Sequence, residues 1–214
     1  MNRSQIASLL LLLSWPSIEA GAADTNFYLG ATAGPTSAKV ERSDDLTLYP
    51  DPIVAVSDEL AVDDGDLAWS AVVGYRFNRH VSAELAYIDY GKVEVVETFR
   101  FTPPTVVFTE PTIRYAFRVT GPSVTVLGRL PIGTRFEAFL RGGVLFSDLK
   151  FDQPQLSRDP TFGDEVWIAG IGIGWTLGER CATRFEYERT DDVEVVFDND
   201  RQLERFSLGV LVRL

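Results

Sequence analysis

The chain has 214 residues, a formal net charge of −11, 45% hydrophobic residues, one cysteine and one histidine. That length allows one domain with a sizeable buried or membrane-embedded surface, and its acidic balance argues against nucleic acid as a partner. A single cysteine excludes an intramolecular disulfide, and with only His80 to activate a thiol, Cys181 is read as a bystander.

The first element is "MNRSQIASLLLLLSWPSIEAGAAD", in which Arg3 precedes an apolar run from Leu9 to Leu13 and the small residues Ala20, Gly21, Ala22 and Ala23 follow. This is the layout of a secretory signal peptide with cleavage after Ala22 or Ala23. Residues 1–22 are therefore expected to be a signal peptide and residues 23–214 the mature domain. The apolar run is too short to span a bilayer as a helix, and no later stretch is a candidate.

Beyond that point apolar and polar residues alternate again and again, the period of a β-strand. The alternation predicts eight strands, roughly 27–39, 67–77, 81–101, 106–130, 135–149, 164–177, 181–190 and 202–214. The fourth is the least regular: Ile113, Tyr115, Phe117 and Val119 share one parity, and Val124, Val126 and Leu130 take the other. A one-residue slip flips every side chain, so a β-bulge is expected at Gly121-Pro122, with Ile113 to Val119 facing outward. Three connections are tight: Asn78-Arg79-His80, Pro131 to Thr134, and Gly178-Glu179-Arg180. Four are long or strongly polar, about 40–66, 91–112, 150–163 and 190–201, and the two classes alternate. In the second long connection the flanking strands are expected to continue into a hairpin around Pro103-Pro104.

The sixth strand contains "WIAGIGIGW", with glycine at every second position. Glycine-rich loops that cradle phosphate follow a strand, open a helix and have a different spacing. Here the flanking sequence returns to alternation. One face is Trp167, Ala169, Ile171, Ile173 and Trp175, and the opposite face is Gly170, Gly172 and Gly174. In a narrow barrel such a row leaves room for bulky neighbours such as Phe139 and Arg141.

Which solvent each face meets decides the class. The apolar rows carry aromatic residues at their ends: Trp69 and Trp167 toward the long loops, Tyr75, Phe77 and Trp175 toward the short turns. Tyr87, Tyr187 and Phe206 are assigned to the same aromatic girdles, as expected for rings at two membrane interfaces. The opposite faces hold Arg76, Glu84, Arg118, Arg129, Arg135, Glu137, Arg141, Arg184, Glu186 and Arg205, with Arg213 near the end. A lipocalin-type barrel or secreted sandwich would put charges outside. In lipid every backbone group must be paired, so the sheet must close. The expected fold is all-β, an eight-stranded antiparallel up-and-down transmembrane β-barrel whose lumen is filled by a paired charge network.

The segments "FYLGATAG", "SAVVGYRFNRHVSAELAYIDYG", "FEAFLRGGVLFSD", "WIAGIGIGWTL" and "RFSLGVLVRL" resemble the OmpA/OmpX-type outer-membrane β-barrel family of Gram-negative bacteria. The resemblance covers essentially the whole mature chain. It implies a monomer in the outer membrane, among outer-membrane lipid and lipopolysaccharide, with extracellular loops and both termini periplasmic. It also implies assembly by the outer-membrane insertion machinery, which is thought to read a final strand ending in an aromatic ring. Here that strand ends in Leu214 with Phe206 eight residues earlier, a departure that leaves its alternation intact. No peptidoglycan-binding segment is expected behind the barrel.

Function is read as non-enzymatic: a structural or surface-interaction role with a plugged lumen and acidic loops, and without cofactor or metal. Residues 40–66 carry nine acids, including Asp44, Asp45, Asp58, Glu59, Asp63, Asp64 and Asp66, against Arg42. They are read first as a solvated face and second as a site for an extracellular ligand. "DNDRQLE" lacks the ligand spacing of a calcium loop. One alternative is a small-molecule channel of the OmpW type, which the charged interior speaks against. A lipid-modifying barrel enzyme is the other, and His80, in a short turn, offers it no base–nucleophile pair.

Overall fold

The computed structural model describes residues 26–40, 46–47, 54–63, 66–102, 112–152, 161–191 and 201–214. The strands are β1 (Phe27–Val40), β2 (Leu46–Thr47), β3 (Val54–Asp63), β4 (Leu67–Arg76), β5 (Val81–Thr102), β6 (Thr112–Ile132), β7 (Phe136–Asp152), β8 (Thr161–Thr176), β9 (Cys181–Thr190) and β10 (Arg201–Arg213). Eight of them, β1 and β4 to β10, close a ring: each pairs antiparallel with its neighbours, β1 meets β10, and β5 meets β6. The signal segment, Asp44, Asp45, Asp64, the Pro103-Pro104 turn and most of 190–201 lie outside the described residues.

The predicted strands and tight turns match these elements closely. Lipid-facing residues occupy every second position through the membrane band. Leu85, Leu140, Ile171 and Leu208 are 59%, 64%, 57% and 64% exposed, although they are apolar. Exposure of this kind is stable only where the surroundings are hydrocarbon. The span from Trp167 to Trp175 gives β8 nine residues of band, the length a tilted strand needs to cross.

Above that band the polarity inverts without a change of parity. On β6, Phe117, Val119, Ser123, Thr125, Leu127 and Arg129 all point inward and are buried, whereas Arg118, Val124 and Val126 point outward. The expected bulge at Gly121-Pro122 is therefore absent. The β6–β7 ladder skips Gly121 and Pro122 but keeps one register on both sides of them, from Ala116↔Asp152 to Ile132↔Phe136. Phe117 and Val119 were expected outside and lie inside, because the outer face leaves lipid for water there and the apolar face must turn to the interior. Val93, Val95, Leu145, Leu149, Val166 and Leu203 join them in one buried apolar cluster. A bulge lies instead on β5, between Asp89 and Lys92, where Gly91 adopts a φ of +80°. Only glycine takes that conformation without strain, and it lets Tyr90 and Val93 both point inward.

The connection 40–66 is not simply a loop. β3 pairs with the outer half of β5, from Asp63↔Glu94 to Val54↔Thr102, and β4 pairs with the inner half, from Trp69↔Asp89 to Arg76↔Ser82. Together β3 and β4 act as one long partner for the 22-residue β5. Asp58, Glu59 and Asp63 thus belong to a strand, where pairing satisfies the backbone of a long extension. Alternation in this acidic stretch is too weak to have announced it.

Candidate functional site

The interior of the membrane band holds the polar groups. β4 to β7 and β9 to β10 each aim at least one charged residue at the axis, because inward positions recur every second residue. Five arginines (Arg76, Arg129, Arg141, Arg184, Arg205) meet four glutamates (Glu84, Glu137, Glu186, Glu188) in one continuous network. Arg76 Nη2 lies 3.4 Å from Glu137 Oε2, and Glu137 also pairs with Arg129. Arg129 donates to Ser82 Oγ at 2.9 Å and to Tyr28 Oη at 3.0 Å, and Tyr28 Oη donates to Glu84 Oε1 at 2.7 Å. Glu84 also accepts from Arg184 Nη1 at 2.7 Å. Arg141 sits at the centre: Nη1 is 2.9 Å from Glu186 Oε1 and 3.0 Å from Glu188 Oε2, and Nε donates to Thr125 Oγ1 at 3.1 Å. Arg205 closes the outer end, 3.2 Å from Glu188 Oε1 and 5.5 Å over the Tyr90 ring, while Tyr90 Oη donates to Glu188 at 2.7 Å.

Burial makes this pairing obligatory. The side chains of Glu84, Arg141, Glu186, Glu188 and Arg205 are fully buried. An isolated charge taken out of water costs several kcal/mol, which its partners must offset. The glycine row makes the space. A Cβ on Gly172 would stand 2.4 Å from Phe139 Cζ, and one on Gly170 would stand 3.2 Å from Glu186 Oε1. Tyr28 uses the same device at Gly74, where a Cβ would meet its ring at 2.0 Å.

Of the charged residues predicted for the lumen, Arg76, Glu84, Arg129, Glu137, Arg141, Arg184, Glu186 and Arg205 are brought together. Arg118 is not: it points outward above the band and forms a two-pronged pair with Asp89, with Nε 3.0 Å from Oδ1. Its parity was misassigned along with that of Phe117. Arg135 is exposed at the short turn before β7. Glu188, Tyr28 and Tyr90 complete the network and were missing from the predicted set. Glu188 shares the parity of Arg184 and Glu186, and that parity is the signal that identifies it.

The aromatic residues lie on the outer face, Tyr75 and Trp175 near strand ends and Tyr87, Trp167 and Phe206 within their strands. Trp69 and Tyr87 pack with ring centroids 6.1 Å apart at the outer rim, and Tyr187 and Phe206, 4.9 Å apart, are followed outward by Arg189 and Glu204. At the other rim Phe136 stacks on Trp175 at 5.8 Å and Tyr75 meets Phe77 edge-on at 5.1 Å. Trp167 is 66% exposed. Asp66 accepts the Lys92 amide at 3.0 Å. His80 lies in the turn after β4, its Nε2 accepting from Arg79 Nε at 2.9 Å. Cys181 is exposed at the start of β9. Among the described residues no cluster of His, Cys, Asp and Glu has the arrangement of a metal site.

The OmpA-like transmembrane domain matches residues 22–213. No curated protein matches the chain in sequence. Among solved structures, Neisserial surface protein A is similar at 12% identity, covering 89% of this chain and 98% of its own, with a TM-score of 0.58. The outer membrane protein OprG from Pseudomonas aeruginosa is similar at 11% identity, covering 89% of this chain and 98% of its own, with a TM-score of 0.51. At these identities the likeness is one of fold.

Proposed function

The chain belongs to the OmpA-like transmembrane domain family of the Gram-negative outer membrane, and from that premise we propose that it is a non-enzymatic barrel with a sealed lumen. Its role is then structural, or one of surface interaction through its extracellular extensions. The observation that carries this reading is the filling of the interior. Paired side chains occupy the membrane band, and the apolar cluster from Ile88 to Leu203 occupies the space above it. An eight-stranded barrel is just wide enough for side chains to fill. In the His80 turn the imidazole meets Arg79 Nε and the Arg129 carbonyl. Cleavage of a signal peptide after Ala22 or Ala23, insertion by the outer-membrane machinery and a monomeric state belong to the same proposal. The acids of 40–66 are the candidate contact for an extracellular ligand.

The test is solute flux from liposomes reconstituted with the mature barrel. A sealed lumen predicts release of a small sugar or an amino acid at the rate of protein-free liposomes. Protein-dependent release would replace this reading with the channel alternative.

A further inference from the structure

The network leaves one part of the interior open, at the short-turn mouth. A cavity of about 410 Å³ lies there, inside the size range of small-molecule sites. Its lining is strongly basic. Arg76, Arg79, Arg180 and Arg213 stand at its walls against Glu137 and Glu179, with Arg129 and Arg184 deeper. Glu137 is already engaged by Arg76 and Arg129, and Arg79 is bonded to His80. Arg180 and Arg213 have no side-chain hydrogen bond or ion pair among the described residues.

The fold holds these cations close to one another. The Arg213 amide donates to the Arg180 carbonyl at 2.8 Å, which places the last residue of β10 beside the β8–β9 turn. Arg213 pairs in register with Tyr28 on β1. On the other side of β1 the Arg76 amide donates to the Asn26 carbonyl at 2.9 Å. Arg213 and Arg129 both lie within electrostatic reach of Arg76. Like charges gathered on a concave wall of low dielectric raise the local potential and concentrate anions there. Guanidinium groups bind carboxylate and phosphate oxygens in two-pronged geometry.

We propose that the periplasmic mouth of this barrel is a binding site for a small anion bearing two or more phosphate or carboxylate groups, held by Arg180, Arg213 and Arg76. The site opens at the short-turn end of the barrel, with Tyr28, Arg129 and Phe139 of the band as its floor, so it is distinct from the extracellular surface of the proposed function. The anion neutralises Arg180 and Arg213, which the four-glutamate network does not reach, adds a second partner for Arg76 beside Glu137, and occupies the mouth without crossing the barrel.

The test is isothermal titration of the mature barrel in neutral detergent with pyrophosphate and, separately, with citrate. Each titration is set against sodium chloride of matched ionic strength. The expected result is saturable binding at one site per barrel, absent with chloride. Losing a guanidinium contact should weaken binding about tenfold in Arg180→Gln and again in Arg213→Gln. The outward-facing Arg118→Gln should bind as the parent does. Binding of pyrophosphate alone would assign the site to phosphate, and of citrate alone to carboxylate. Both outcomes support the proposal. Heat released equally by matched chloride would overturn it, as would undiminished binding by folded Arg180→Gln and Arg213→Gln. Arg180 lies in an exposed turn, so its variant tests the idea even if replacement within β10 impairs folding.

Discussion

Replacing Arg141 by leucine removes the cation at the centre of the lumen and leaves the carboxylates that surround it. Glu186 keeps Arg184 at 3.4 Å and Glu188 keeps Arg205 at 3.2 Å. In the parent, four well-buried arginines (Arg129, Arg141, Arg184, Arg205) balance Glu84, Glu137, Glu186 and Glu188. The substitution leaves the fully buried Glu186 and Glu188 with one cation each, Arg184 and Arg205. Breaking a buried pair by removing one partner costs about 3–5 kcal/mol. With an unfolding slope of about 2 kcal/mol per molar urea, that moves the midpoint down by about 2 M. The assay is tryptophan fluorescence of the folded barrel in lipid vesicles across a urea series. The double variant Arg141→Leu with Glu188→Gln removes the excess charge and should recover much of the loss, while a mere packing defect would persist. An unchanged midpoint in Arg141→Leu would refute the claim that these charges depend on one another.

The inverted polarity above the membrane band predicts that Phe117→Ala behaves as a core truncation, losing about 3–5 kcal/mol in the same urea series. A loss under about 1 kcal/mol would return Phe117 to an outward position. Gly172→Leu drives a Cβ to 2.4 Å from Phe139 Cζ and 2.5 Å from the Phe185 carbonyl oxygen. It should cost about 1–3 kcal/mol or block folding, read from the fraction of heat-shifted barrel. Ile171→Arg places a charge on lipid halfway between Trp167 and Trp175 and should cost about 2–4 kcal/mol. Arg118→Gln breaks a half-exposed pair and should stay below about 1 kcal/mol. Equal effects of these last two substitutions on the urea midpoint would mean that the membrane band is misplaced.

The barrel was legible in the sequence because lipid imposes a strict rule. Every outward position from Trp167 to Trp175 is apolar and the inward ones from Gly170 to Gly174 are all glycine, so period two is plain there. The charge network was legible for the same reason, down to Arg141 opposite Gly170. The reading failed where the surroundings change along one strand. On β6 the outer solvent passes from lipid to water near Thr120, and a constant parity with a changed solvent looks like a slip of one residue. Arg118 was placed in the lumen through that error. β3 stayed hidden because its pairing with β5 is long-range and its composition resembles a solvated acidic loop. The basic mouth was also missed, since Arg180 and Arg213 meet only when β10 closes against the β8–β9 turn.

The closed, lipid-facing barrel is tested most directly by a heat-modifiability gel of outer-membrane fractions. The account predicts a band that migrates faster unboiled than boiled, because a ring sealed by the β1–β10 and β5–β6 ladders resists detergent until heated. A single unshifted band, with the protein in the soluble periplasm, would contradict it.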